Sequence, residues 1–273
     1  MLTLLFGLLT GCAVYFAMTK FTEMGQAPSI AAAVIAMFAF QLLVMLLLRK
    51  ISARINAKLQ AIMQETSAKL QSMQAQFMRR PTNQKAMMQL LEREQNAGLR
   101  RLIEALDLYK PLYLWNMLMK KQVNTMRMIF LFQLKKFDEA DALMNKCVFF
   151  DAQSVCVKMA RMYKRNEPAE AIDKFFRKKG AKFKGEDAVL PRSLYAWILV
   201  KQERIDDAVK VLADGKTKTG GNEVIVRNWD LLVNKKVKHF SNSGLGEAWY
   251  ALMLEEPKIQ KIRLIWLILH LRA

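Results

Sequence analysis

Histidine, cysteine, glycine and proline are all scarce in this chain of 273 residues, and acid is scarce relative to base. His239 and His270 are the two histidines, and Cys12, Cys147 and Cys156 the three cysteines, with no CxxC spacing among them. Such a set supplies neither a zinc site nor an even-numbered disulfide framework, so Cys147 and Cys156 read as reduced, small apolar core residues. With Gly 11 and Pro 6, in a background rich in Leu, Ala, Lys, Met and Glu, the composition favours helix over a β-sandwich or barrel. Two histidines near the C-terminus make no persuasive nucleophile–His–acid set. No enzymatic activity, cofactor or metal is expected; carboxylates assembled only by the fold are the one catalytic route left open.

Charge is nearly missing from the front of the chain. Between Met1 and Leu48 the charged side chains are Lys20 and Glu23, which cancel, so the whole net charge of +19 lies from Arg49 onward. The mean hydropathy of +0.04 averages over this division. A greasy front followed by a basic body excludes a simple soluble globule and a wholly disordered chain. The absence of a long apolar run after Leu48 argues against a multi-span transporter.

Residues 1–19 and 30–48 carry no charge, and as helices each spans roughly 28 Å, close to the hydrocarbon thickness of a bilayer. A short polar connector with Gly25 and Pro28 joins them. Residues 1–48 therefore read as a two-helix transmembrane hairpin. Arg49, Lys50, Arg54 and Lys58 follow the second span, while the connector is net neutral, which puts the body in the cytoplasm. In a bacterium this would be the inner membrane. A cleaved signal peptide would want a basic residue before its apolar core, and none is there. Leu9-Thr10-Gly11-Cys12 matches a lipoprotein lipobox over four residues, but an apolar run follows Cys12 where a polar tether belongs. Gly7 and Gly11 form a GxxxG, and Ala32 and Ala36 a small-xxx-small step, faces that suit packing of the two spans or a homodimer.

Apolar positions then run Ile51, Ile55, Leu59, Ile62, Thr66, Leu70, Met73, Phe77, an eleven-residue repeat close to the pitch of a straight helix. No glycine or proline interrupts Ile30 to Arg80. Residues 49–80 read as a juxtamembrane stalk helix continuous with the second span, about 48 Å long, broken at Pro81. Its stripe either lies against the body or self-associates. Thr82 reads as the N-cap of a helix to Tyr109, with Pro111 opening the next.

Four segments beyond this share a pattern: Phe137-Asp138-Glu139-Ala140, Pro168-Ala169-Glu170-Ala171, Ile205-Asp206-Asp207-Ala208 and Leu245-Gly246-Glu247-Ala248. Each alanine is followed four residues on by a large apolar residue, Met144, Phe175, Leu212 or Leu252. Acidic residues there suit the positive end of a helix. The pattern resembles the tetratricopeptide repeat (TPR) family from Lys121 to Glu256, with Leu131, Met162 and Leu199 nine residues before an alanine. The alanines are 31, 37 and 40 residues apart, against a family period of about 34. Met128 and Met159 stand where the family has a small residue, with Ala196 in the third unit. Lys236 and His239 stand where the fourth unit should be apolar.

The fold expected is therefore all-α: a transmembrane hairpin, a long juxtamembrane helix, and a TPR-like α-solenoid over residues 81–273. The resemblance implies that Ala140, Ala171, Ala208 and Ala248 are the repeat-packing positions. It also implies a protein-binding groove lined by Phe132, Tyr163 and Trp197 and edged by Lys164 and Lys201. An internal helix, Thr82–Tyr109, is the competing occupant of that groove.

Lys174, Arg177, Lys178, Lys179, Lys182 and Lys184 form the clearest basic cluster, interleaved with Phe175, Phe176 and Phe183. It reads either as a solvated helix end stopped by Gly180 or as a patch for anionic lipid or an acidic partner. Lys235, Lys236 and Lys238 make a smaller patch. Nucleic acid is disfavoured for want of a recognition motif. Gly215-Lys216-Thr217 lacks the upstream glycine and strand of a phosphate-binding loop. The apolar stretch Leu264–Leu269 is too short to span a bilayer, and reads as a capping helix or an interfacial tail with Trp266 as anchor. The function expected is a membrane-anchored cytoplasmic scaffold that organises a protein partner. The alternative is a basic peripheral module engaging anionic lipid.

Overall fold

Two apolar helical segments form a hairpin, and the second belongs to one unbroken 54-residue helix. The computed structural model describes residues 2–22, 25–79 and 84–256, and every regular element among them is helical. α1 (Leu2–Phe21) packs antiparallel on the first part of α2 (Gln26–Arg79). The two glycines of the GxxxG face this seam: a Cβ on Gly7 would lie 3.3 Å from Gln41 Nε2, and one on Gly11 would lie 3.3 Å from the Ala33 carbonyl oxygen. Away from the seam the hairpin is bare and apolar, with Leu8, Phe16, Ile35 and Phe38 between 62% and 68% exposed. Both helices are long and apolar enough to cross a membrane.

α2 starts four residues before the expected Ile30 and continues without a break to Arg79. The expected break at Pro81 and the Thr82 cap lie outside the described residues. α3 (Gln84–Ala105) runs back along α2 and buries the stalk stripe at Ile55, Leu59, Thr66 and Leu70. Ion pairs Lys69–Glu94 (2.8 Å) and Arg101–Glu65 (2.8 Å) flank the contact. The two helices approach most closely at Gly98, where a Cβ would meet Thr66 at 2.5 Å. Within this chain, then, the stripe lies against the body.

The helix expected to Tyr109 stops at Ala105, and Pro111 does not open the next one. It sits inside a 3₁₀ segment, Leu106–Leu112, a tight turn that tolerates a residue without an N–H. α4 (Met117–Gln133) starts six residues after Pro111 because Asn116 caps it, its Oδ1 accepting from the amides of Leu118 (3.0 Å) and Met119 (3.3 Å).

Helical hairpins follow in series: α4 with α5 (Phe137–Leu143), α6 (Ala152–Lys164) with α7 (Ala169–Lys178), and α8 (Val189–Lys201) with α9 (Ile205–Lys218). α10 (Glu223–Val233) and the one-turn α11 (Glu247–Tyr250) complete the series. One device ends each first helix. Lys135, Asn166, Glu203 and Lys235 adopt positive φ, and the next amide in each case reaches back to Leu131 (2.9 Å), Met162 (3.0 Å), Leu199 (2.9 Å) or Leu231 (2.8 Å). This is a Schellman closure, made four times at equivalent places.

Ala140, Ala171 and Ala208 each follow the left-handed residue by five positions. Ala140 and Ala208 are fully buried and Ala171 half-buried. In the fourth unit the same offset falls on Phe240, while half-buried Ala248 sits in α11 outside this register. Lys236 and His239, expected in a helix, belong to the turn after α10 and a short 3₁₀ segment. Asn228 and Asn242 bond to each other (2.9 Å), and Asn242 donates to the Ser193 carbonyl (2.9 Å), tying this irregular stretch to α8. Cys156 is buried and Cys147 half-buried, both as free thiols. The expected C-terminal helix lies outside the described residues.

Candidate functional site

The aromatics expected to line a groove sit mainly in packing contacts. Phe132 is 2% exposed and lies against Phe137, with ring centroids 5.6 Å apart. Trp197 is 5% exposed, edge-on to half-buried Tyr163 (5.2 Å) and to Trp249 (5.6 Å). The two indoles donate to the same carboxylate, Trp197 to Glu255 Oε1 and Trp249 to Oε2, both at 2.8 Å. The segment after α11 therefore covers Trp197. Lys201 lies over the Trp197 ring at 5.3 Å from its centroid, and Lys164 is exposed on α6. Tyr163, Trp197 and Lys201 are thus brought together, with Phe132 in a separate contact.

The basic cluster has the opposite disposition. α7 is strongly two-faced: Ile172 and Phe176, one turn apart, are buried, while Lys174, Arg177 and Lys178 are exposed. Lys182 and Lys184 are exposed in the segment that follows, and Lys179 is half-buried. Phe175 and Phe183, both half-buried, pack inward with Phe176. Their interleaving with lysine is thus the amphipathic pattern of a helix and its exit loop. Gly180 follows α7 because a Cβ there would meet the Phe176 ring at 2.6 Å. None of the six cations forms an ion pair among the described residues. Nearby arginines do so: Arg161 with Asp141 (2.7 Å), Arg204 with Asp173 (2.9 Å) and Arg192 with Asp214 (2.9 Å).

Arg192 shapes the exit loop. Its side chain is 1% exposed, and it donates to the carbonyls of Ala181 (3.0 Å) and Phe183 (3.1 Å) as well as to Asp214. One buried cation on α8 thereby presents Lys182 and Lys184 outward.

A cleft of about 530 Å³ opens beside α7, walled by Lys158, Arg165, Lys174 and Lys178 together with Asp141 and Glu167. The two acids are occupied, Asp141 by Arg161 (2.7 Å) and Glu167 by Arg165 (3.6 Å). The Lys158 ammonium lies over both the Phe149 and Phe175 rings, 4.8 and 4.9 Å from their centroids. Burial pushes its ammonium below the ordinary lysine value, against the opposing pull of Glu167. Lys158 is a lone lysine on a helix in the sequence, and only the fold joins it to Lys174 and Lys178. Phe150 also escaped the sequence reading: it is 62% exposed, with the Lys179 ammonium 5.5 Å from its ring. Such a site offers cations and aromatic edges to an anionic surface.

The α3→α4 connection meets the apolar hairpin directly: the Trp115 and Phe6 rings stack at 6.1 Å and 25°, and the Tyr109 hydroxyl donates to Asn56 on α2. Comparison with protein-family models, with curated proteins and with solved structures finds no match for this chain.

Proposed function

We propose that this chain is a two-span membrane protein whose TPR-like solenoid works at the cytoplasmic surface, where the basic face of α7 takes up the anionic leaflet. The observation that carries the reading is the run of cations on α7 and its exit loop, Lys174 to Lys184, none of which forms an ion pair among the described residues. Two further features support it. The apolar windows of α1 and α2 are only 11% and 6% buried, unlike the core helix of a soluble protein. Arg49, Lys50, Arg54 and Lys58 follow the second span and favour the cytoplasmic side for the body.

The energetics suit a tethered module. Each Lys or Arg near an anionic leaflet contributes about 1 kcal/mol. The hairpin keeps the body beside the leaflet at high effective concentration, so a few such contacts suffice. They weaken with salt over a Debye length of about 8 Å at physiological ionic strength.

The cleft supports a second reading, in which the chain is a scaffold. Lys158, Lys174 and Lys178 line a concave site for an acidic segment of a protein partner, in place of the expected aromatic groove. Lysine footprinting of the full chain in nanodiscs separates the two readings. Protection of Lys174 to Lys184 in phosphatidylglycerol nanodiscs, absent in phosphatidylcholine and lost in high salt, is the expected result. Equal reactivity in both lipids would sink the leaflet reading and leave the protein partner.

A further inference from the structure

Connections between helices in a water-exposed body are normally polar, as in Lys218-Thr219-Gly220-Gly221-Asn222 between α9 and α10. The α3→α4 connection departs from this. Leu114 is 66% exposed and Leu118 46% exposed, with half-buried Trp115 between them. Burying a leucine fully is worth about 1.5–3 kcal/mol, so two left in water at one turn mark a surface with an apolar neighbour.

The neighbour is identified by continuity. Trp115 stacks on Phe6 of α1, and around Phe6 stand exposed Leu4, Leu5 and Leu8. On α2, Leu47 and Ile51 are exposed where the charged residues Arg49 and Lys50 begin. The apolar surface of the hairpin thus runs on through Trp115 to Leu114 and Leu118. Exposed Lys110, Lys120 and Lys121 bracket the turn. Tryptophan flanked by leucine and lysine is the side-chain mix of the membrane interface, where the ring spans the headgroup boundary and the ammonium groups reach phosphate.

We propose that the turn from Tyr113 to Leu118 seats in the interfacial layer of the bilayer, as a contact additional to the two spans. It rests on the reading of α1 and α2 as membrane-spanning. Its consequence is mechanical: the turn holds the body at a fixed height and tilt, where a bare helix would let it swing about the point at which α2 leaves the bilayer.

The test uses the full chain in vesicles of phosphatidylethanolamine and phosphatidylglycerol, with acyl chains brominated near the headgroup to quench tryptophan. Emission lost between wild type and Trp115→Phe reports the turn, and emission added by Leu42→Trp reports the second span. Leu114→Trp reports the turn by addition, in case Trp115→Phe disturbs folding. Bromolipid removing most of the intensity at both turn and span, with blue-shifted emission, is the expected result. A quenched span beside an unquenched turn overturns the proposal and leaves the two-span reading standing. If neither is quenched, both fall.

Discussion

Trp197 on α8 donates its indole N–H to Glu255, 58 residues later, at 2.8 Å. Trp249 donates to the other oxygen of the same carboxylate, so one acid satisfies two buried donors. Replacing Glu255 by Ala leaves both unpaired at a cost of about 1–3 kcal/mol each. A urea midpoint lowered accordingly, with red-shifted tryptophan emission, is the expected result. An unchanged midpoint would mean that the segment after α11 does not hold Trp197.

The seam between α2 and α3 makes a second prediction. Alanine is a better helix former than glycine by about 1 kcal/mol, yet Gly98→Ala should destabilise by about 1–3 kcal/mol, because its Cβ would overlap Thr66. Thr66→Ala in the same chain should recover much of the loss. Thermal melts of the single and double variants check the pair. A stabilised Gly98→Ala would show that the stalk does not run against α3.

Acid should weaken the contact between the α6–α7 and α8–α9 hairpins through Asp173 on α7. Burial alone would raise its carboxyl, but hydrogen bonds from Arg204 (2.9 and 3.1 Å) and the Tyr195 hydroxyl (2.7 Å) outweigh it and hold the group below the ordinary aspartate value. A lowered folded value contributes stability above the unfolded pKa of about 3.9, and that contribution is lost as pH falls through the folded value. Asp173→Asn should cost about 1.5–3 kcal/mol at neutral pH and flatten the acid limb of the stability curve. Urea midpoints taken from pH 7 downward read both effects.

Glu203 occupies a left-handed backbone position, with φ of 61°, in the Schellman closure of α8. Glu203→Gly should therefore raise stability by about 0.5–1 kcal/mol, the left-handed strain exceeding the entropy that glycine adds to the unfolded chain. A lower melting temperature would contradict the closure.

How much of this was legible follows from what each feature depends on. The apolar hairpin and α2 rest on local patterns, absence of charge and absence of breakers, and so could be read directly. Ala140, Ala171 and Ala208 could be picked out because their acidic and apolar neighbours form a local pattern, and they share one place, five residues after the left-handed turn. Ala248 misdirected the fourth unit, since the feature common to all four is the left-handed turn. Lys135, Asn166, Glu203 and Lys235 share no side-chain chemistry that would reveal it. The face of each aromatic was decided by tertiary packing: Trp197 resembles a groove residue until Trp249 and Glu255 arrive from far along the chain. Lys158, Phe150 and Trp115 join their sites through contacts between helices, which no spacing records.

A basic α7 face seated on an anionic leaflet sets the height of Lys182 above the lipid headgroups. A fluorescent non-canonical amino acid at Lys182, with an acceptor on the lipid headgroups, measures that height by energy transfer in vesicles holding the full chain. Transfer should be greater in phosphatidylglycerol than in phosphatidylcholine vesicles, and should fall to the phosphatidylcholine level when Lys174, Arg177, Lys178, Lys179 and Lys184 are changed to Gln. Equal transfer in the two lipids for the unmodified face would contradict the account.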